Sequence, residues 1–236
     1  MSFDALLKLV PDYIDQFLRL VGGPRRFFAG QELNDRKALV RALLFLLNSS
    51  LVAFVLRVPV LEGETAYWQT AAVTVVFYMA TAVALGAVAF GCCRLVGGRG
   101  PLPGHITIFA YLAGIGTIVF ALAVLIAGGI IQVNLPEQTA LYGKYMSLLM
   151  SGGGGLNAPE FAVLNASSEL TFSILVILAG LLVILAWVIW CWWAFGDLNG
   201  ITGWRPAAAL VLFLLVGYGV STALALAQSA RGIELF

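Results

Sequence analysis

The sequence predicts an all-α, polytopic membrane protein with five transmembrane helices and an amphipathic N-terminal interfacial helix. Hydrophobic residues make up 61% and charged residues 11% of its 236 residues, whereas a soluble domain carries about 25% charged residues. The mean hydropathy is +0.97. Several apolar runs reach the roughly 20 residues that a bilayer-spanning helix needs. The short alternating strands of a membrane β-barrel are not visible in the sequence.

The apolar runs divide the chain into two parts. Residues 1–37 form a predicted cytoplasmic amphipathic segment, and residues 38–236 form a predicted five-helix transmembrane bundle. The five predicted spans cover residues 38–61, 68–96, 106–131, 170–195 and 207–230.

The amino-terminal segment has the spacing of an amphipathic helix. Between residues 3 and 21, apolar side chains recur at helical intervals with charged side chains between them, which predicts one apolar face. Pro11 interrupts this pattern and predicts either two short helices or a kink. The segment is expected to lie in the membrane interface or to pack against protein.

The first span carries two arginines and a polar triplet. Arg41 and Arg57 are sixteen residues apart, about 24 Å of helix, so each is expected to extend to its own membrane surface. Asn48, Ser49 and Ser50 lie between them, near the predicted midplane. An intramembrane asparagine favours a hydrogen bond to a neighbouring helix. The alternative is that the triplet lines a substrate path.

Small residues in the second span predict close helix packing. Ala82, Gly86, Ala87 and Gly91 form two overlapping pairs with four-residue spacing, and such pairs let helix backbones approach each other. The glycine-rich turn of residues 94–105 follows this span. It lacks the Lys-Ser/Thr ending of a phosphate loop and does not follow a strand.

The chain offers little for catalysis or for metal binding. His105 is the single histidine, and Cys92, Cys93 and Cys191 have neither metal nor disulfide spacing. Carboxylates are confined to the loops and the two ends. We therefore predict no catalytic, cofactor-binding or metal-binding residues, no cofactor and no enzymatic activity. The net charge of +1, without a basic block, argues against nucleic acid as a partner.

The connector of residues 132–169 interrupts the sequence of spans. Leu141, Tyr145, Leu148 and Leu149 have helical spacing, which predicts a short interfacial helix over residues 136–150. A flexible glycine linker is predicted for residues 152–155.

Tryptophans cluster at the end of the fourth span. Trp187, Trp190, Trp192 and Trp193 precede a short polar turn, and Arg205 opens the next apolar run. Because indole rings prefer the boundary between water and lipid, this passage is predicted to lie at a membrane surface.

The same boundary holds the candidate interaction residues, which are Trp192, Trp193, Trp204, Arg99 and Arg205. Aromatic residues and arginine are the usual energetic anchors of protein interfaces. Anchoring in lipid explains the tryptophans equally well, so both interpretations stay open at this point.

The distribution of basic residues predicts the orientation. The side that holds the amino terminus and the turns with Arg99 and Arg205 carries ten of the thirteen Lys and Arg residues. Since basic loops remain in the cytoplasm, the amino terminus is predicted to be cytoplasmic. Five spans then place the carboxy terminus outside.

Four passages resemble the Yip-domain family of multi-pass membrane proteins, named for interaction with Ypt/Rab GTPases. They read LRLVGGPRRFF, RLVGGRGPL, YLAGIGTIVF and WWAFGDLNGITGWRPAAALVL, and together they cover most of residues 18–216. The resemblance implies five helices with a cytoplasmic amino terminus. The acidic-aromatic motifs of the eukaryotic members are absent, which favours a bacterial member in the cytoplasmic (inner) membrane.

Two functions are compatible with these features. The first is a non-enzymatic integral membrane scaffold or accessory subunit that binds lipids, other integral membrane proteins or a larger membrane complex. The second is a transporter or lipid-path protein for a small or lipidic substrate. Transport sites usually show charge near the midplane, and the predicted spans have no acidic residue there.

Overall fold

A computed structural model describes residues 3–33, 35–60, 67–136 and 168–231. All regular structure in these ranges is helical. In chain order the helices are α1 (Phe3–Gly22), α2 (Pro24–Ala29), α3 (Arg36–Arg57), α4 (Tyr67–Leu95), α5 (Leu102–Asn134), α6 (Ser168–Cys191), α7 (Trp193–Asn199) and α8 (Arg205–Arg231), with a 3₁₀ turn, Val58–Val60, after α3.

Four helical stretches are long and apolar enough to cross a membrane. They are Arg36–Arg57, Thr74–Leu95, Leu102–Asn134 and Ser168–Asn199. In α8 the corresponding stretch of described side chains, Arg205–Gly217, is apolar but shorter. The all-α prediction is therefore confirmed for the described residues, four helical stretches are compatible with the predicted multi-pass architecture, and the fifth span stays a prediction.

The predicted boundaries of the first three spans agree with the helices to within four residues, but the fourth predicted span is divided. The helix of residues 170–195 was expected to be continuous, whereas Trp192 separates α6 from α7. The Trp192 amide donates to Ile189 O, and the Phe195 amide donates to Trp192 O. Both bonds join residues three apart, the tighter 3₁₀ pattern that interrupts an α-helix.

Helix α5 is the centre of the bundle and contacts α3, α4 and α6. In its most apolar stretch 56% of the residues are buried, against 11% in the most apolar stretch within Ser168–Asn199. Two glycines permit the close contacts. A Cβ on Gly114 would lie 2.6 Å from the Phe45 ring, and a Cβ on Gly180 would lie 2.7 Å from Ala123 Cβ.

The small residues of α4 singled out in the sequence, Ala82 to Gly91, pack closely on α5 at one end of the series but not at the other. Ala82 and Gly86 are buried, and a Cβ on Gly86 would lie 2.9 Å from the Cα of Ile106 in α5. Ala87 is exposed, and a Cβ on Gly91 would meet nothing within 4 Å. The packing prediction therefore holds for Gly86 but not for Gly91.

The amino-terminal segment forms one helix, so the alternative of two short helices at Pro11 is wrong. A proline inside a helix removes a single backbone hydrogen bond and bends the helix without necessarily ending it. Tyr13 and Leu20 of α1 face α3 and the core, whereas Ile14 and Leu18 are exposed. The packing of α1 against protein is thus seen directly, and its position in a membrane interface stays a prediction.

The structure contradicts the predicted position of the Arg57 side chain. Arg57 was expected to extend to the outer membrane surface, but it is 9% exposed, and its buried Nε has no hydrogen-bond partner among the described residues. The end of α3 and the turn that follows it are packed on α5, so protein covers the guanidinium.

Two predictions for the connector lie outside the described residues. They are the helix of residues 136–150, apart from Pro136, and the glycine linker of residues 152–155.

Candidate functional site

The passages that follow the amphipathic helix and join the spans meet at one end of the bundle. We call this region the loop end and define it as residues 24–35, 96–105 and 192–205. It brings together α2, the turn between α4 and α5, and the turn between α7 and α8. The sequence analysis placed all three on the same side of the membrane. In the structure Phe28 of α2 packs on Trp193, and Asn199 bonds to the turn between α4 and α5.

Asn199 joins two turns that are about a hundred residues apart in the chain. Its Oδ1 accepts a hydrogen bond from the Gly100 amide at 2.9 Å, and its Nδ2 donates to His105 Nε2 at 2.8 Å and to Phe195 O at 2.7 Å. Its own backbone carbonyl accepts from the Arg99 amide at 3.3 Å. The amide side chain thus satisfies buried polar groups of both turns.

His105 is fixed by this arrangement in one tautomer. Its Nδ1 lies 2.8 Å from Pro101 O, and because a carbonyl only accepts, Nδ1 carries the proton. Nε2 is then the acceptor of the Asn199 amide. The sequence analysis noted His105 only as the single histidine, and the structure shows its two hydrogen-bond partners. With both ring nitrogens engaged and the side chain fully buried, His105 has a structural position.

Glycines make the close contact between the turns possible. A Cβ on Gly98 or on Gly100 would lie 2.7 Å or 2.9 Å from Asn199 Oδ1. Gly200 ends α7 in the left-handed region, with φ of 63°, a conformation that glycine adopts without strain. The glycines of this passage therefore serve the docking of one turn on the other.

Trp192 is buried, contrary to its predicted place among the interaction residues. Its side chain is 3% exposed, and its Nε1 donates to Pro206 O at 2.8 Å. The ring packs on Phe195 and Phe213, with centroids 4.7 Å and 5.1 Å away. Because the indole N–H finds a partner inside the protein, this tryptophan needs no contact with water or headgroups. It connects α7 to α8.

Trp193 is half-buried and holds α2 against α7. The Phe28 ring lies 6.3 Å from its own, and the Arg25 guanidinium lies 5.7 Å from the ring centroid, within the range of a cation–π contact. The remaining candidates behave differently. Trp204, which precedes Arg205 in the chain, is 74% exposed, and Arg99 and Arg205 are also exposed on the loop end.

The polar triplet of α3 lies at the contact with α1. Ser49 is buried, and its hydroxyl lies 3.1 Å from the Tyr13 hydroxyl. Ser50 donates to Leu46 O of its own helix at 2.8 Å. Asn48 was expected to bond to another helix, but it is half-buried and its side chain makes no hydrogen bond to any described residue. The interhelical bond is made one position further along, by Ser49.

Tyr13 and Gln16 of α1 bond to the spanning helices, and the sequence analysis did not predict these contacts. Burial raises the pKa of the Tyr13 hydroxyl, which keeps it protonated beside Ser49. Gln16 Oε1 accepts from the Tyr111 hydroxyl of α5 at 3.3 Å. Within an amphipathic pattern these residues resemble any others on the polar side, so no sequence signal distinguishes them.

Possible metal ligands do not form a cluster in the described part of the chain. No group of three His, Cys, Asp or Glu residues there could hold a metal ion. Cys92, Cys93 and Cys191 are all buried.

Two clefts open at the loop end. The first, of about 730 Å³, lies between α2 and α7 and is lined by Phe28 and Trp193 together with the carboxylates of Glu32 and Asp197. The second, of about 660 Å³, lies between α1, α2 and α3. It contains guanidinium and carboxylate groups and the Tyr111 side chain at its base.

Comparisons of the chain with models of protein families, with curated proteins and with solved structures give no match. The functional conclusions below therefore rest on the geometry of the described residues.

Proposed function

We propose that this protein is a non-enzymatic integral membrane scaffold or accessory subunit that binds another integral membrane protein or a larger membrane complex through its loop end. The observation that carries the proposal is the exposure of Trp204, Arg99 and Arg205 on a loop end that internal hydrogen bonds hold together. An exposed tryptophan among arginines is the usual composition of an interface anchor. A rigid surface also loses little entropy on binding.

The proposal includes the orientation and the family. We place the loop end in the cytoplasm of a bacterial cell, in the inner membrane, with five spans and an external carboxy terminus. The basic residues of the connecting turns support this orientation. The likeness to Yip-domain proteins is supported only by the quoted passages, whose segments around Phe28, Tyr111, Trp193 and Asn199 lie together at this end.

A transporter or lipid-path protein is the second candidate. The observation that favours it is the charged cleft between α1, α2 and α3, which reaches Tyr111 of the central helix. If the protein is a transporter, α1 would move away from Ser49 and open a path for the substrate. The two candidates differ in where a substitution acts: at the exposed surface for a scaffold, and in the cleft for a transporter.

The test compares two exposed tryptophans. Trp204→Leu removes the indole from the loop end, and Trp190→Leu removes one that is 61% exposed on α6. The protein is crosslinked in native membranes, extracted in mild detergent and sized. We expect a complex that Trp204→Leu reduces at least tenfold, while Trp190→Leu leaves it intact. Trp193 is less suitable, because it also holds α2 in place.

The result that would overturn the scaffold proposal is a complex lost to the same extent in both variants, since both indoles would then act only as lipid anchors. Protein that stays uncomplexed in wild type would overturn it as well. Circular dichroism and membrane insertion of each variant serve as controls for folding.

A further inference from the structure

The cleft between α1, α2 and α3 carries an excess of positive charge. The groups lining it include the carboxylates of Asp12 and Asp15 and the guanidinium groups of Arg19, Arg26 and Arg41. Arg19 is already engaged, because its Nε lies 2.9 Å from Asp15 Oδ1. Among the described residues that line the cleft, two guanidinium groups and one carboxylate, that of Asp12, then remain.

Neither of these two arginines has a carboxylate partner among the described residues. The Arg26 side chain makes no hydrogen bond or ion pair with any of them. The Arg41 side chain makes one hydrogen bond, from Nε to Lys37 O at 3.4 Å, which leaves its terminal nitrogens available. A planar guanidinium offers two parallel donors that match the oxygens of a phosphate.

The cleft also lies at the boundary between polar and apolar surfaces. Arg41 is five residues into α3, about 7.5 Å along its axis, a depth close to the surface of a bilayer that α3 crosses. On the side of α1 away from the cleft, Ile14, Leu18 and Val21 are exposed. One side of α1 thus suits hydrocarbon, while its charged side borders the cleft.

From this geometry we propose that the cleft between α1, α2 and α3 binds a phosphate group through Arg26 and Arg41, either in an anionic phospholipid headgroup or as free phosphate. The Tyr111 hydroxyl, at the base of the cleft, is held by Gln16. The site requires the bundle to lie in a membrane only for the lipid form, and it does not depend on a partner at the loop end.

The experiment is native mass spectrometry of the full-length protein in detergent, incubated separately with phosphatidylglycerol and with inorganic phosphate. Arg26→Gln/Arg41→Gln removes both guanidinium groups of the cleft. The matched control is Arg99→Gln/Arg205→Gln, which removes the same charge from exposed positions of the loop end outside the cleft. The mass of the adduct tells a lipid from free phosphate.

We expect wild type to retain one adduct, and the cleft variant to lose it by roughly tenfold for each guanidinium, in keeping with charged hydrogen bonds. The control variant should retain it. Equal loss in both variants would show a general effect of charge and overturn the proposal, as would wild type without any adduct. If the double variant does not fold, Arg41→Gln alone, which leaves α2 unchanged, tests the same site, and we expect it to weaken the adduct as well.

Discussion

At the scale of single residues, Asn199 determines how the loop end is held. A buried amide that satisfies groups from two turns cannot be replaced by an apolar side chain without leaving those groups unpaired. The asparagine precedes a glycine at the end of a short helix, which in sequence is an ordinary helix terminus. Its partners become visible only when the turn of residues 96–101 is placed beside it.

We predict that Asn199→Leu lowers the free energy of unfolding by about 2–5 kcal/mol, because the Gly100 amide and His105 Nε2 lose their partners in a buried site. Denaturant titration in mixed micelles measures this. Asn134→Leu is the control, since Asn134 is exposed and its side chain bonds, among the described residues, only to Ile130 O of its own helix. Equal effects of the two substitutions would contradict the assigned role of Asn199.

Within the polar triplet, Ser49 rather than Asn48 is expected to contribute to stability. Ser49→Ala removes the contact with Tyr13 and should cost about 0.6–1.7 kcal/mol, the range of interhelical hydrogen bonds in membranes. Asn48→Leu should cost less than this. Tyr13→Phe combined with Ser49→Ala gives a double-mutant cycle. A coupling energy of zero between the two positions would show that the hydroxyl pair is not formed.

At the scale of secondary structure, the close approach of α4 and α5 depends on the one glycine that faces α5. Substitution at Gly86 places a methyl group against the backbone of Ile106, and a backbone moves less readily than a side chain. At Gly91 the same methyl group meets open space. The two positions have the same residue type in the same helix, so they separate packing from helix propensity.

We predict that Gly86→Ala destabilises the protein by about 1–3 kcal/mol, as overpacking does in cores. Gly91→Ala should be neutral or stabilising by up to about 1 kcal/mol, because alanine is the better helix former. Both values come from the same denaturant titration. Should Gly86→Ala be as well tolerated as Gly91→Ala, α4 and α5 would not approach as closely as the structure has them.

At the scale of the whole molecule, the number of spans decides the orientation of the two ends. Helices α4 and α5, and likewise α7 and α8, are joined at the loop end, so Arg99 and Arg205 share one side of the bundle. The fifth span, if complete, puts the carboxy terminus on the other side. Four spans would leave it on the side of the loop end.

The prediction is that a cysteine at position 99 and one at position 236 are labelled from opposite sides of the membrane in intact cells, with position 99 protected from an external reagent. The native cysteines are buried, so they should react slowly with a membrane-impermeant maleimide. Labelling of both positions from the same side would contradict the five-span arrangement. A cysteine at position 205 is the control, because it should behave like position 99.

The sequence by itself predicted the positions of the four helical stretches that are long and apolar enough to cross a membrane. In a bilayer each spanning segment satisfies its own backbone hydrogen bonds and must match the hydrocarbon thickness, so the length of an apolar run predicts a helix almost directly. This is why residues 68–96 correspond so closely to Tyr67–Leu95. The basic and glycine-rich turns likewise predicted that the segments of the loop end lie on the same side of the bundle.

The tertiary structure alone decided which side chains meet. A helix that is apolar on all sides gives no signal for the face that it turns toward its neighbours. For this reason the sequence pointed to Asn48 where Ser49 makes the contact, and it placed Trp192 at an exposed surface. His105 and Asn199 are paired only by the docking of turns distant in sequence, and such pairing depends on the shapes of packed helices, which local patterns do not contain.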